Sequence, residues 1–205
     1  MSPKKSRAFA AVAASLALGV VLSACSNGAD TAEDQPTSSQ SESAAATSEE
    51  HNDADVEFAQ MMILHHQGAL EMAVLAEGRA QSEEVQQLAS DIQFAHQPEI
   101  DLMTSWLETW GEESPSAEDD MDGMDHSGGH TGMADDDQMQ QLEDAGSEFD
   151  RMFLEMMIVH HQGAITMSEE EQANGLNQDA LELAGKIVAD QTAEIDTMEQ
   201  LLAEM

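Results

Sequence analysis

The sequence predicts an all-α protein, a four-helix bundle assembled from two duplicated helical hairpins. Three observations carry that expectation. A nine-residue phrase, Met61-Met62-Ile63-Leu64-His65-His66-Gln67-Gly68-Ala69, returns 95 positions later as Met156-Met157-Ile158-Val159-His160-His161-Gln162-Gly163-Ala164. Laying 55–107 over 150–202 without a gap gives 19 identities in 53 positions, among them Asp55/Asp150, Phe58/Phe153, Met72/Met167, Glu99/Glu194 and Met103/Met198. Within each copy, apolar residues recur at i, i+3, i+4 and i+7, the period of an amphipathic helix, and turn residues interrupt the pattern once. A repeated unit that cannot cover its own apolar stripe buries it against its twin, and four such stripes close into a bundle.

The first hairpin spans 53–110. Phe58, Met61, Met62, His65, Ala69, Met72 and Ala76 form the stripe of its first helix. A break at 78–81 follows, and Ser82 is the candidate N-cap of the second helix. That helix carries Leu88, Ile92, His96, Glu99, Met103 and Trp106 on one face. Pro98 lacks the N–H that an interior position needs and is expected to kink it. Gly111 is placed to cap its C-terminus. The second hairpin spans 147–205. Ser147 with Asp150 has the spacing of a capping box, and Gly175 with Asn177 marks the turn between its helices. With 3% aromatic residues, the core must rest on Leu, Ile, Ala and Met, which adapt well but specify geometry loosely.

The remaining segments have other compositions. Lys4, Lys5 and Arg7 precede a largely apolar run from Ala8 to Val21, too short to span a bilayer comfortably and ordered as in an export signal. Leu22-Ser23-Ala24-Cys25 resembles a bacterial lipobox, which implies a signal peptide over 1–24 and lipidation of Cys25. A lipid there would anchor the protein to the outer face of the cell membrane. Residues 25–52 read as a flexible acidic tether. Cys25 is the single cysteine, so no intrachain disulfide is possible. Residues 111–146, with 12 acidic side chains and no basic one, read as a linker without structure of its own. Inside it lies a Met/His tract: Met121, Met124, His126, His130 and Met133.

Charge narrows the partners. Beyond residue 24, three basic residues face 42 acidic ones. Nucleic acid is excluded, because binding its phosphates requires Lys and Arg, and anionic headgroups repel such a surface. Cations are concentrated by it.

The chemistry-bearing residues sit inside the helical stripes. In the first copy they are His65, His66, His96 and Glu99 with Met62, Met72 and Met103. In the second they are His160, His161 and Glu194 with Met157, Met167 and Met198, and Gln191 stands where His96 stood. A carboxylate on an apolar face is costly unless paired, so His and Glu are expected to face each other across the bundle. Imidazole and thioether without thiolate favour copper, Cu(I) above Cu(II), whereas zinc gains little from Met. The linker tract, as a secondary site, has the same bias. The bland alternatives are a His–Glu pair that pins helix register and methionines that only fill core. Gly68 and Gly163, each costing a helix interior about 1 kcal/mol relative to Ala, point to close helix approach or access to the imidazoles.

Phe58, Met62-Ile63, His65-His66-Gln67-Gly68-Ala69, Met72, Glu99-Ile100, Met103 and Trp106-Leu107, with their second-copy counterparts, resemble the domain-of-unknown-function-305 (DUF305) family. The resemblance implies a ferritin-like four-helix bundle, frequent export and, in some members, copper binding in support of copper tolerance. His96 and Pro98 depart from the family pattern. The leading expectation is a lipid-anchored, non-catalytic copper-binding protein that buffers the ion or passes it to a partner. A ferritin-like dimetal oxidoreductase is the enzymatic alternative, but it asks for Glu plus Glu-x-x-His pairs, and this chain offers His96-x-x-Glu99 once and reversed. A structural envelope lipoprotein without metal is the third reading.

Overall fold

The computed structural model describes residues 50–115 and 132–205. The signal segment, Cys25, nearly all of the tether and the linker residues Met121, Met124, His126 and His130 lie outside them.

Four long helices form the bundle: α1 (Asp53–Arg79), α2 (Glu83–Trp110), α4 (Phe149–Asn174) and α5 (Gln178–Glu204). A short helix, α3 (Asp136–Asp144), precedes α4, joined to it by a 3-10 turn at Gly146–Glu148. There is no strand among the described residues, and no helix there is long and apolar enough to cross a membrane. Helix α1 packs along α2, α4 along α5, and the two hairpins meet through α1 and α4. This is the duplicated-hairpin bundle that the repeat predicts.

Local chemistry sets most helix ends. Asn52 and Asp55 form a reciprocal capping box at the start of α1. The Ser82 hydroxyl accepts from the backbone N–H groups of Glu84 and Val85, and Asn177 accepts from Asp179 and Ala180. Gly111, at φ 79°, ends α2 in the left-handed conformation that favours glycine. Pro98 does not end α2, which continues through it to Trp110.

Two expectations are corrected. Ser147 and Asp150 do not form a capping box: the first turn of α4 has no side-chain cap. The Asp150 carboxylate instead crosses the bundle to accept the backbone N–H groups of Gln81 (2.9 Å) and Ser82 (2.8 Å) in the α1–α2 turn. Asp55 does the same for Leu176 (3.0 Å) and Asn177 (2.8 Å) in the α4–α5 turn. Each hairpin thus fastens the other's turn. The linker is also not wholly unstructured. Asp135 and Gln138 form a capping box, Leu142 is fully buried against the core that holds Phe149 and Phe153, and Arg79 donates to the Glu143 carbonyl.

Helix α3 breaks the symmetry between the ends of the bundle. It joins the apolar cluster that contains Leu75, Ala76, Met152 and Met156. The matching positions at the other end are Glu170, Glu171, Glu57 and Met61, and they line an open cavity of about 120 Å3.

Candidate metal centre

Between two apolar clusters lies a layer of five histidines, one pair from each His-His phrase plus His96. The double-His phrase lies mid-helix in α1 and in α4, where these two helices are each other's neighbours, so both pairs are carried to the bundle axis. His65, His66, His160 and His161 are fully buried, and His96 is 2% exposed. The rings follow one another in space. Centroids are 4.1 Å apart for His66–His96, 5.9 Å for His96–His161, 6.3 Å for His161–His160 and 3.7 Å for His160–His65. A Cβ placed on Gly68 would stand 3.5 Å from His160 Nε2, in ordinary van der Waals contact, so α1 passes beside that ring with room for a small side chain.

The carboxylates meet the layer from the partner helix of each hairpin. His66 Nε2 lies 2.8 Å from Glu99 Oε2, and His161 Nε2 lies 2.6 Å from Glu194 Oε2. The His–Glu pairing expected across the bundle is instead made within each copy, between the two helices of one hairpin. With the carboxylates ionised, each Nε2–H donates and Nδ1 keeps its lone pair. This is the arrangement in which an outer carboxylate orients an imidazole for a metal on its other nitrogen. His96 Nε2 faces the Gln191 amide at 3.5 Å.

Several ring nitrogens have no hydrogen-bond partner: both of His160, and Nδ1 of His66, His96 and His161. Leaving such a buried group unpaired costs about 1–3 kcal/mol, so the layer is expensive as a purely structural feature. Burial also keeps three of the rings, His66, His96 and His160, neutral. Desolvation, with repulsion from His161 and Lys186, lowers His66 to about 3. Desolvation and the neighbouring histidines hold His96 and His160 well below the usual imidazole range. Neutral imidazole is the form that ligates metal.

The donor set thus fits a soft or borderline ion, but the shell is not assembled. Among the described residues, no three His, Cys, Asp or Glu side chains converge as a ready metal-binding group. Met62, Met103 and Met167 lie in one apolar cluster flanking the layer, and Met72, Met157 and Met198 in the other. Met133, the one described residue of the linker tract, is partly buried just before α3. Next to it Gly132, at φ 90°, passes so close to α4 that a Cβ there would stand 2.6 Å from the Val159 carbonyl oxygen and 3.1 Å from His160 Cα. The C-terminal end of the Met/His tract is therefore pressed against the backbone of the histidine layer.

Lys186 escapes sequence reasoning. Its ammonium lies 2.8 Å from Glu99 Oε1 and 2.8 Å from Asp190 Oδ2. Burial lowers its pKa, but the hydrogen bonds to Asp190 and Glu99 outweigh that and hold it above the usual lysine value. A cavity of about 210 Å3 opens here, lined by His96, Glu99, Lys186, Asp190, Gln191 and Glu194 among others. The one signal in the sequence is rarity, since no other lysine follows residue 24.

Comparison with known proteins agrees with this architecture. The family model for a domain of unknown function, DUF305, matches residues 55–202. A DUF305 fragment from Deinococcus radiodurans is similar at 31% identity and TM-score 0.66, covering 75% of this chain and 98% of that one. A DUF305 protein from Streptomyces coelicolor, described among secreted proteins, is similar at 34% identity and TM-score 0.65, covering 74% and 91%. CopM in its Cu(II)-bound form is similar at 32% identity and TM-score 0.63, covering 73% and 96%; its Cu(I)-bound, silver-bound and apo forms match as well. No curated protein sequence matches the chain.

Proposed function

The chain belongs to the DUF305 family, and from that premise we propose that it binds copper outside the cytoplasm, anchored to the outer face of the cell membrane by lipid on Cys25. In this reading it buffers the ion or passes it on, in the service of copper tolerance or trafficking, and performs no catalysis. The observation that carries it is the run of five buried imidazoles, in which His66, His96, His160 and His161 have ring nitrogens without a hydrogen-bond partner and two carboxylates orient His66 and His161. Copper is favoured over zinc because the surrounding reserve of donors is thioether and no thiolate is available. The copper-bound forms of CopM, about as similar to this chain as its other relatives, support the same ion. Because Nε2 of His66 and His161 is engaged, the free Nδ1 atoms are the donors, and modest rotation of the packed rings is required to bring them onto one ion.

A carboxylate-bridged dimetal oxidase finds less support. Glu99 and Glu194 are the carboxylates hydrogen-bonded to the histidine layer among the described residues, and Glu99 is also bound by a lysine.

Titration of the chain with Cu(I) under a competing chelator tests the proposal. The double variant His66→Ala, His161→Ala should lose more than about tenfold in affinity, the scale on which even outer-sphere partners matter. Equal affinity, with helicity retained, removes the histidine layer from the binding site. An anomalous-scattering map at the copper edge would then locate the ion.

A further inference from the structure

Lys186 sits in a stretch where three basic residues face 42 acidic ones. With many exposed carboxylates to choose from, its ammonium binds Glu99, whose side chain is only 11% exposed. The same nitrogen also reaches Asp190, one turn along α5, whose side chain is 57% exposed. The lysine therefore has an inner partner and an outer one, at the wall of the cavity that leads to His96 and both glutamates.

The duplication supplies an internal control. The position matching Lys186 in the first copy is Asp91, which accepts from Gln87 on its own helix. Glu194, the match of Glu99, keeps its bond to His161 and pairs with no lysine or arginine among the described residues. A lysine is thus not needed to hold a glutamate on this layer. What differs at Glu99 is greater burial, 11% against 23% side-chain exposure, and a more buried carboxylate has the greater need of a cation.

We propose that Lys186 is a resident cation gating the Glu99 half of the histidine layer: its ammonium supplies the positive charge an incoming metal ion would bring, and the ion enters by driving it from Glu99 onto Asp190. This rests on the metal-binding reading above. Two cations on one poorly solvated carboxylate repel strongly. The flexible four-carbon stem of lysine allows a swing outward, and Asp190 keeps the ammonium paired after it leaves. The unassembled shell described above is then the closed state of the site, with the lysine in place.

Lysine labelling reads the gate directly. The full chain is acylated with an amine-reactive ester and mapped by mass spectrometry, with and without chelator-buffered Cu(I). Loading should speed acylation of Lys186 several-fold, because its nitrogen leaves the inner position. In parallel, Lys186→Met should take up Cu(I) about fivefold more tightly, the scale of one partly exposed ion pair, with uptake faster in the same sense. Asp190→Asn, an exposed change that removes the outer perch, should slow uptake; circular dichroism checks that both variants fold. If the wild-type chain loads while Lys186 acylation and Lys186→Met uptake stay unchanged, the gate falls and copper binding stands. If the wild-type chain takes up no Cu(I), both fall.

Discussion

His65 and His160, equivalent residues of the two copies, stand ring to ring with centroids 3.7 Å apart and planes tilted by 39°. They mark where the repeats meet, so whatever the layer does draws on both halves. The equivalence stops one ring further out. His66 lies against His96, centroids 4.1 Å apart and planes tilted by 40°, while the residue at the matching position in the second copy is Gln191. A duplicated scaffold thus carries a five-histidine, lopsided centre.

The first prediction concerns acid. His66 is lowered from 6.5 to about 3 by burial, and His96 and His160 shift the same way. The unfolded chain takes up protons near pH 6.5 that the folded chain refuses, so this contribution to stability is present above pH 6.5 and is lost as pH falls towards 3. Thermal melts of the metal-free protein should drop steadily between pH 7 and 4. The variant His66→Gln should flatten that slope, and an unchanged slope would contradict the neutral layer.

The alkaline limb has a different owner. Glu171 is buried near Asp55, and desolvation, then the hydrogen bond and repulsion from Asp55, raise it to about 8. Its folded pKa lies above its unfolded value, so its contribution is fully present below about 4.5 and is lost as pH rises through 8. Glu171→Gln should therefore raise the melting temperature at pH 9 more than at pH 5.

The turn fastenings should be strong and reciprocal. Asp150→Ala leaves the N–H groups of Gln81 and Ser82 without their acceptor, and Asp55→Ala does so for Leu176 and Asn177. Each is expected to cost about 2–3 kcal/mol in denaturant unfolding, from two unsatisfied donors. Hydrogen exchange should then accelerate in the turn of the opposite hairpin. Acceleration confined to the mutated helix would refute the cross-bundle role.

Helix α3 is anchored at two points. Leu142→Ala removes a fully buried side chain and should cost about 2–4 kcal/mol. Gly132→Ala meets both a positive φ and the Val159 carbonyl, so the chain entering α3 must move away from α4. Loss of amide protection over 134–142, with the four long helices intact, is the expected result.

Much of this was readable in one dimension. The helices, the Ser82 and Gly111 caps and the burial of the His-His phrases follow from period and cap chemistry, which act over three or four residues. Helix α3 was legible too, since Asp135-x-x-Gln138 is a capping box, but the Gly- and Asp-rich composition of the whole linker masked it. Asp150 misleads for a different reason. Its spacing from Ser147 fits a local cap, whereas its partners lie 68 and 69 residues away. The contact between Lys186 and Glu99 spans 87 residues, and no periodicity encodes it.

What the sequence by itself determined is the duplication, the four amphipathic stripes and the donor types available to an ion, because these depend on residue identity and helical period. Only the tertiary structure decided which nitrogen each carboxylate holds, that α3 covers one end of the bundle and leaves the other acidic and open, and that a single lysine reaches one glutamate but not its twin. Those outcomes depend on distances across packed helices, where a side chain's partner is chosen by burial and geometry and not by its neighbours in the chain.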